Sequence, residues 1–583
     1  MKPDSRGYWF PRLAAVSAVV LLLVVPGAAF AAKEVPFPVQ IRVDANVSLG
    51  ELKPIWRFFG ADEPNYATMK DGQRLLGELG ALQPKGVYFR AHNLLTSGDG
   101  TPAFKWGSTN AYTEDAQGNP IYDWRILDLI FDSYLERGVR PYVQIGFMPQ
   151  ALSTHPLPYR HEWRPGLPYL DVFTGWAHPP KSYQKWGDLA YEWTKHSVER
   201  YGEQEVQTWY WQTWNEANLG GPGWGGYFSG SDEEFYKLHD YAIAGVRRAL
   251  PTARVGGPDA AGISFGAPWT DWFRNFLEHS LRGKNFATGG IGTPLDFISF
   301  HAKGEPSFQD GHIRMGIAAH LRAIDEGFDV IASFPELKNK PIVLGESDPE
   351  GCAACQGPEF SYRNGTVYSS YTAASFARKH DLADRHGVNL EGALSWSFTF
   401  EDQPYFAGFR QLASNGVPLP VFNIIRMFAK MSGVRVATES TASVSLDDIM
   451  QDGVRKQADV SAFASYDAQS NRLAVMVWHY HDDDLPGPDA AVTLTLSGLP
   501  AALGAQAKLS HYRVDQEHGN AYARWLRMGS PPAPDREQYA RLLQASELTQ
   551  ITGDSETQDI LQGSTQLSLD LPRQGVSLLV LEQ

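Results

Sequence analysis

The sequence predicts an α/β protein: a (β/α)8 barrel followed by a β-sandwich. Two observations carry that expectation. Between about residues 51 and 430 short apolar runs alternate with amphipathic stretches, and after about residue 435 the pattern changes to short period-2 runs broken by Gly, Pro, Asn and Asp. With 583 residues, 43% of them hydrophobic, and 17 Trp and 25 Tyr, the chain has ample material for two cores.

Eight strand-like runs are read in the first part: 56–63, 86–93, 140–147, 207–216, 253–259, 295–303, 341–347 and 390–398. Helical patterns separate them. The clearest is "SDEEFYKLHDYAIAGVRRAL", where Ser231 and Glu234 make a capping box, Phe235, Leu238, Ala242 and Val246 repeat at helical spacing, and Pro251 ends the pattern. Eight strands with intervening helices predict a barrel over residues 51–435 with sizeable loop insertions, its chemistry at the C-terminal ends of the strands. The later runs, such as "RLAVMVWHY" and "AAVTLTLSGL", predict a sandwich over 436–583, interrupted by a helical insertion at about 515–555. The alternating segment within 32–50 joins that sandwich from the N-terminal side.

Residues 1–31 read as a secretory signal peptide: Lys2, Arg6 and Arg12, an apolar run over 13–25, then "AFA" ahead of a cleavage point after Ala31. The apolar run falls short of the roughly 20 residues that span a bilayer, so the expectation is a secreted or periplasmic protein with no membrane span after cleavage. A net charge of −15 disfavours nucleic acid as a partner. Cys352 and Cys355 are the two cysteines, and in an exported chain a local disulfide is the favoured role over redox chemistry or a metal site. The "NGT" at Asn364 reads as a turn.

Several strand-like runs end in polar residues that a purely structural strand does not need: Asp62 and Glu63, His92 and Asn93, Asn215 and Glu216, Asp259, His301 and Lys303, Glu346, and Glu401 and Asp402 just past the last run. A barrel brings such ends to one mouth. Glu216 after the fourth strand and Glu346 after the seventh would then face each other, and paired carboxylates are what hydrolysis of a glycosidic bond needs. The tryptophans at 209, 211 and 214 belong partly to packing against helices.

"TWNEAN" is similar to the Asn-Glu signature of the (β/α)8 retaining glycosidases. Within that clan the chain resembles glycoside hydrolase family 39, the β-xylosidases and α-L-iduronidases, through "WRFFGADEPNY", "YFRAHNLLTSGDG", "WNEANL", "DFISFHAKG", "VLGESDP", "FAGFRQLASNGVPLP" and "HYRVDQEHGNAYARWLRMGSP". The resemblance spans nearly all of the chain after the leader. It implies Glu216 as general acid/base, Glu346 as nucleophile, Asn215 on the sugar 2-OH, His92 on a sugar hydroxyl, and His301 beside the nucleophile. Phe147 and Trp396 would stack on the sugar, and Glu401 and Asp402 are placed in the pocket. It implies no metal and no organic cofactor. Lys303, helped by Arg410, would hold a uronate carboxylate, or it pairs with Glu305 or a strand-end carboxylate and shapes the pocket; the second is favoured.

Two departures stand out. Ala217 occupies a position often held by Pro, and Ser347 and Asp348 replace the Trp or Asn that can follow the nucleophile. Asp348 is expected to point away from Glu346, because an inward neighbour would raise its pKa. The expected activity is β-xylosidase action on plant-type oligosaccharides. The alternatives are a glycosidase for uronic-acid- or arabinose-containing polysaccharides and a non-catalytic carbohydrate-binding barrel.

Overall fold

The computed structural model describes residues 35–222, 226–553 and 556–583; the leader read at 1–31 lies outside them. Eight parallel strands form the barrel: β1 (Phe58–Ala61), β2 (Val87–Ala91), β3 (Val139–Ile145), β4 (Tyr210–Thr213), β5 (Arg254–Ala260), β6 (Phe297–Lys303), β7 (Pro341–Asp348) and β8 (Asn389–Ala393). Each pairs with its sequence neighbour. Closure comes just past β8, where Phe59 bridges Ser395 in parallel, Gly60 N–H donates to Ser395 O and Ser395 N–H donates to Phe58 O. These are the eight runs read from sequence. Strands covered on both faces bury nearly every side chain, which is why they appear as near-continuous apolar stretches.

The N-terminal end of the barrel is filled by rings. Phe58, Tyr88, Tyr142, Tyr210 and Phe297 pack with centroids 4.9–5.7 Å apart in their closer pairs. Polar side chains, Arg90, Gln144, Gln212 and Ser299, replace them one layer up, all buried. The barrel core therefore turns polar towards the end that carries the site. Outside, helix Asp232–Ala249 starts at the Ser231/Glu234 capping box and packs on helix Tyr183–Tyr201. The backbones approach at Gly187 and Gly245, where a Cβ on Gly245 would stand 2.2 Å from Gly187 O.

Apart from three two-stranded ribbons, the remaining described strands make one ten-stranded sheet curled around its own apolar core, with Val39, Ile41 and Val43 packed among Val475, Val477, Leu494 and Leu581. Strand Phe37–Glu51 lies inside this sheet, antiparallel to Val434–Ser440 and parallel to Ala490–Ser497. The sheet's other face meets the barrel through helix Thr366–His386: Ser370 Oγ donates to Gln574 Oε1 (2.6 Å) and Arg378 pairs with buried Asp459 (3.3 Å). The insertion holds helices Ala521–Arg527 and Arg536–Ser546, whose Tyr522 and Trp525 pack on Phe406. Asn364 closes a 3-10 turn, buried and donating to Phe406 O. No helix among the described residues is long and apolar enough to cross a membrane.

Candidate active site

Glu216 and Glu346 meet at the barrel mouth, and a carboxylate oxygen of each and a nitrogen of His301 all lie within 4.8 Å of one another. Backbone irregularities next to the site aim these groups. The ladder slips between Leu344 and Glu346 and between Pro258 and Ala260, so that Glu346 stands level with His301. Trp214 (φ 69°), Glu216 (φ 44°) and Asp259 (φ 53°) occupy the left-handed region, a strained conformation for such residues that the surroundings must hold. Glu216 N–H donates to Asp259 O, which pins the acid's backbone to the next strand (3.0 Å). Gly345 is required: a Cβ there would sit 1.7 Å from Asp259 Oδ1.

Glu346 is surrounded by basic side chains. Lys303 Nζ donates to its Oε2 (2.8 Å), Arg90 Nη1 lies 3.4 Å from Oε1, His92 Nε2 3.6 Å and His301 Nδ1 3.9 Å. Burial alone would raise this carboxyl's pKa; Lys303 foremost, then His301, His92 and Arg90, outweigh it and hold the group well below the usual carboxylate range. Arg90, fully buried, also donates from Nη2 to Asn215 Oδ1 (2.7 Å) and pairs with Asp259 (3.0 Å). That fixes the Asn215 amide with its Nδ2 unpartnered and buried, a spare donor beside the carboxylate pair.

Glu216 has one close partner. His301 Nδ1 lies 2.7 Å from its Oε1, and His301 Nε2 is 3.5 Å from Asp259. Burial opposes protonation of His301, but Glu346, Asp259 and Glu216 together push its pKa up to about 9, so at neutral pH it is an imidazolium donating to Glu216. His92 is the opposite case: burial lowers its pKa although Nδ1 bonds to Asp62 (2.6 Å), leaving Nε2 as an unpartnered acceptor facing the site. Asp62 is shared with the buried Lys105 ammonium (2.5 Å).

Trp396 packs tilted against His92 at 4.2 Å, and Phe147 packs edge-on behind the same imidazole at 5.4 Å. Together they make a blind aromatic end, while Tyr227, 6.2 Å from the same imidazole, also borders the open cavity. The mouth opens in the other direction into a cavity of about 850 Å³ bordered by parts of the 150–185 and 350–370 loops, including Tyr169, Phe173 and the disulfide Cys352–Cys355.

Three expectations are corrected. Glu401 is not in the pocket: its Oε1 accepts the N–H groups of Asp71 (2.7 Å) and Gly72 (2.8 Å) and so caps helix Lys70–Leu82. Asp402 is exposed beside it. Regular pairing stops at Ala393, and the following residues carry the chain away from the barrel axis before Glu401 is reached. Asp348 points inward, buried, with Oδ2 accepting from Lys303 (2.6 Å) and Oδ1 from Trp396 N–H (2.9 Å). The lysine between the two carboxylates removes the repulsion that was expected to turn Asp348 away. Arg410 is fully buried, donating to Glu350 O and lying 3.3 Å from the Glu350 carboxylate, so it braces the loop instead of facing a substrate. Lys303 pairs with Glu346 and Asp348 rather than with Glu305.

Sequence reasoning passed over Arg90, Tyr227 and the role of Asp259. Arg90 carried a signal, a charge in the middle of the apolar "VYFRA", which is tolerated in a strand only with buried partners. As for a metal, Glu216, His301 and Glu346 are the one group of donors close enough to share a cation among the described residues. The set does not suit one: His301 carries a proton and Glu346 is already neutralised by Lys303 and Arg90.

Comparison with known proteins gives a consistent picture. The sequence profile of glycosyl hydrolases family 39 matches residues 39–559. A β-xylosidase of Caldicellulosiruptor saccharolyticus is 27% identical over 533 residues, covering 87% of this chain and 92% of its own. An α-L-iduronidase of Mus musculus is 27% identical over 540 residues, 87% of this chain and 75% of its own. Among solved structures, a monomeric β-xylosidase from Caulobacter crescentus CB15 matches with a TM-score of 0.70 at 21% identity, over 93% of this chain and 99% of that one. A bacterial orthologue of human α-L-iduronidase matches with a TM-score of 0.72 at 20% identity, over 94% and 84%. At those identities the solved structures speak to the fold alone.

Proposed function

Because the chain belongs to glycosyl hydrolase family 39 and is therefore a glycoside hydrolase, we propose that it is a retaining, exo-acting β-xylosidase with Glu346 as nucleophile and Glu216 as acid/base. The observation that carries this reading is the approach of the two carboxylates to within 4.8 Å at their nearest oxygens. A retaining pair stands about 5–5.5 Å apart, whereas an inverting pair leaves roughly 6.5–9.5 Å for a water.

The two carboxylates have different surroundings, and each suits one role. Glu346, ionised through the acid range, attacks the anomeric carbon while Glu216 gives its proton to the leaving oxygen. Glu216 then takes a proton from water as that water displaces Glu346 from the sugar. The His301 imidazolium holds Glu216 Oε1, which leaves the other oxygen for the travelling proton. Asn215 Nδ2 and His92 Nε2, one donor and one acceptor, face the sugar hydroxyls.

The blind end built by His92, Trp396 and Phe147 supports exo action on a terminal sugar. The pairing of Lys303 with both Glu346 and Asp348 supports a neutral sugar, since its charge is already matched. The second reading, a uronic-acid glycosidase, draws on the same residue: Lys303 borders the open cavity. Retention of both carboxylates with a spare amide donor weighs against a non-catalytic binding protein. Export through the leader read at residues 1–31 is part of the proposal and is checked by N-terminal sequencing of the mature protein.

The test is hydrolysis of nitrophenyl β-xyloside, α-L-iduronide, α-L-arabinoside and β-glucoside, with Glu346→Ala alongside. Release from the β-xyloside, abolished in the variant, is expected; release from the iduronide instead would replace the sugar, and silence on all four would favour the binding-protein reading.

A further inference from the structure

The open cavity lies on the Glu216 side of the carboxylate pair. Glu216, His301 and Lys303 border it, whereas Glu346, Asn215, His92 and Trp396 do not. A proton donor stands beside the leaving oxygen, so whatever that oxygen carries extends into this cavity and not towards the blind end.

Most polar side chains on its walls are already committed. Asn218 spends both amide atoms on the backbone of Ala261 (2.7 and 2.9 Å). Trp272 Nε1 donates to Asp232 (2.9 Å). Glu350 is bound by Arg363 (2.7 Å), by Tyr362 (2.9 Å) and by the Cys352 N–H (2.7 Å). What remains, besides the Ser264 hydroxyl and the Trp269 indole N–H, is apolar: Leu170, Phe173, Leu219, Phe265, the Trp269 ring and Phe360. Leu170 is 71% exposed and Phe265 61% exposed, a grouping of large apolar side chains in water that marks a binding surface. Phe265 and Trp269 meet edge to face at 5.8 Å.

We propose that this cavity takes an apolar leaving group, the alkyl or aryl alcohol of a hydrophobic glycoside, in preference to a second sugar. A sugar there would meet few free polar side chains, while an apolar chain gains by leaving water. In the reaction the anomeric C–O bond breaks, the electron pair stays with the aglycone oxygen, Glu216 protonates it, and a neutral alcohol departs. The inference rests on Glu216 being the acid, and not on the identity of the sugar.

Methyl, butyl and octyl β-D-xylosides provide the test, with xylobiose alongside. Leaving-group acidity is nearly constant along the alkyl series, so the trend in kcat/KM reads contact with the cavity alone. A rise of at least about tenfold from methyl to octyl is expected, with the octyl glycoside turned over better than xylobiose. In Phe265→Ala/Trp269→Ala the octyl-to-methyl ratio falls towards one; truncation of the exposed Phe265 does not touch the core, and Trp269→Ala alone serves if the double variant folds poorly. A flat series, or xylobiose as the better substrate, overturns the proposal. If the nitrophenyl panel identifies another sugar, the reading of the sugar fails and the alkyl series is made on that sugar, where a flat response again counts against the cavity.

Discussion

Glu216 and Glu346 are the same residue type a few ångströms apart, yet the barrel gives them opposite surroundings. Glu346 stands at the blind, polar end among Lys303, Arg90, His92 and His301. Glu216 stands at the open, apolar end with His301 as its one close partner. The difference suits the two proposed roles: cations hold one carboxylate ionised for attack, and its twin stands where the leaving group enters from the open cavity.

Removing either carboxylate has the largest effect and breaks the comparison most directly. Glu346→Ala is expected to lower kcat by about 10⁴-fold or more on every substrate, because no covalent intermediate forms. Glu216→Ala is expected to lose about 10²–10⁴-fold on alkyl glycosides but far less on a nitrophenyl glycoside, whose leaving group needs little protonation. Steady-state kinetics on both substrate types checks this, and azide should give a glycosyl azide of retained configuration with the Glu216 variant and of inverted configuration with the Glu346 variant.

Arg90→Met sharpens the same contrast from the polar side. It leaves Asp259 and Glu346 without their shared cation, and the expected cost is about 3–5 kcal/mol in urea unfolding. Lys303→Met is milder. The cation that holds Glu346 ionised is lost, its pKa rises, and the acid limb of the kcat/KM profile moves to higher pH. The sign carries over to stability: a carboxyl depressed in the folded state stabilises above its unfolded pKa and loses that contribution as pH falls through the folded value. The variant should therefore begin acid unfolding at higher pH than the parent. The smallest effect belongs to Glu401→Gln, about 1 kcal/mol of stability from the weakened cap on helix Lys70–Leu82 with kcat unchanged. A fall in kcat would return Glu401 to the site.

The barrel was legible in the sequence because burial on both faces turns each strand into an apolar run, and because the Ser231/Glu234 box marks a helix start locally. Glu216 and Glu346 were legible as polar groups at strand ends. So was Asp259, though not its pairing with Arg90; Arg90 itself was not, since the partners that make a mid-strand charge tolerable come from strands far away in the chain. Asp348 was misread for the same reason: its orientation depends on Lys303, two barrel strand positions that only the β6–β7 pairing brings together. Glu401 was misread because the strand before it stops at Ala393, and irregular backbone carries no period from which its direction can be read. The apolar cavity is assembled from several loops, none of which is apolar enough to notice alone.

The central claim, that Glu346 is the nucleophile of a retaining pair, is tested most directly by trapping the intermediate. A 2-deoxy-2-fluoro-β-xyloside with a dinitrophenyl leaving group, or its counterpart for whichever sugar the panel selects, is incubated with the protein and the digest is mapped by mass spectrometry. The account predicts one fluoroglycosyl adduct, on the peptide carrying Glu346. An adduct on Glu216 or any other residue, or an unlabelled protein that releases product with inverted configuration, would contradict it.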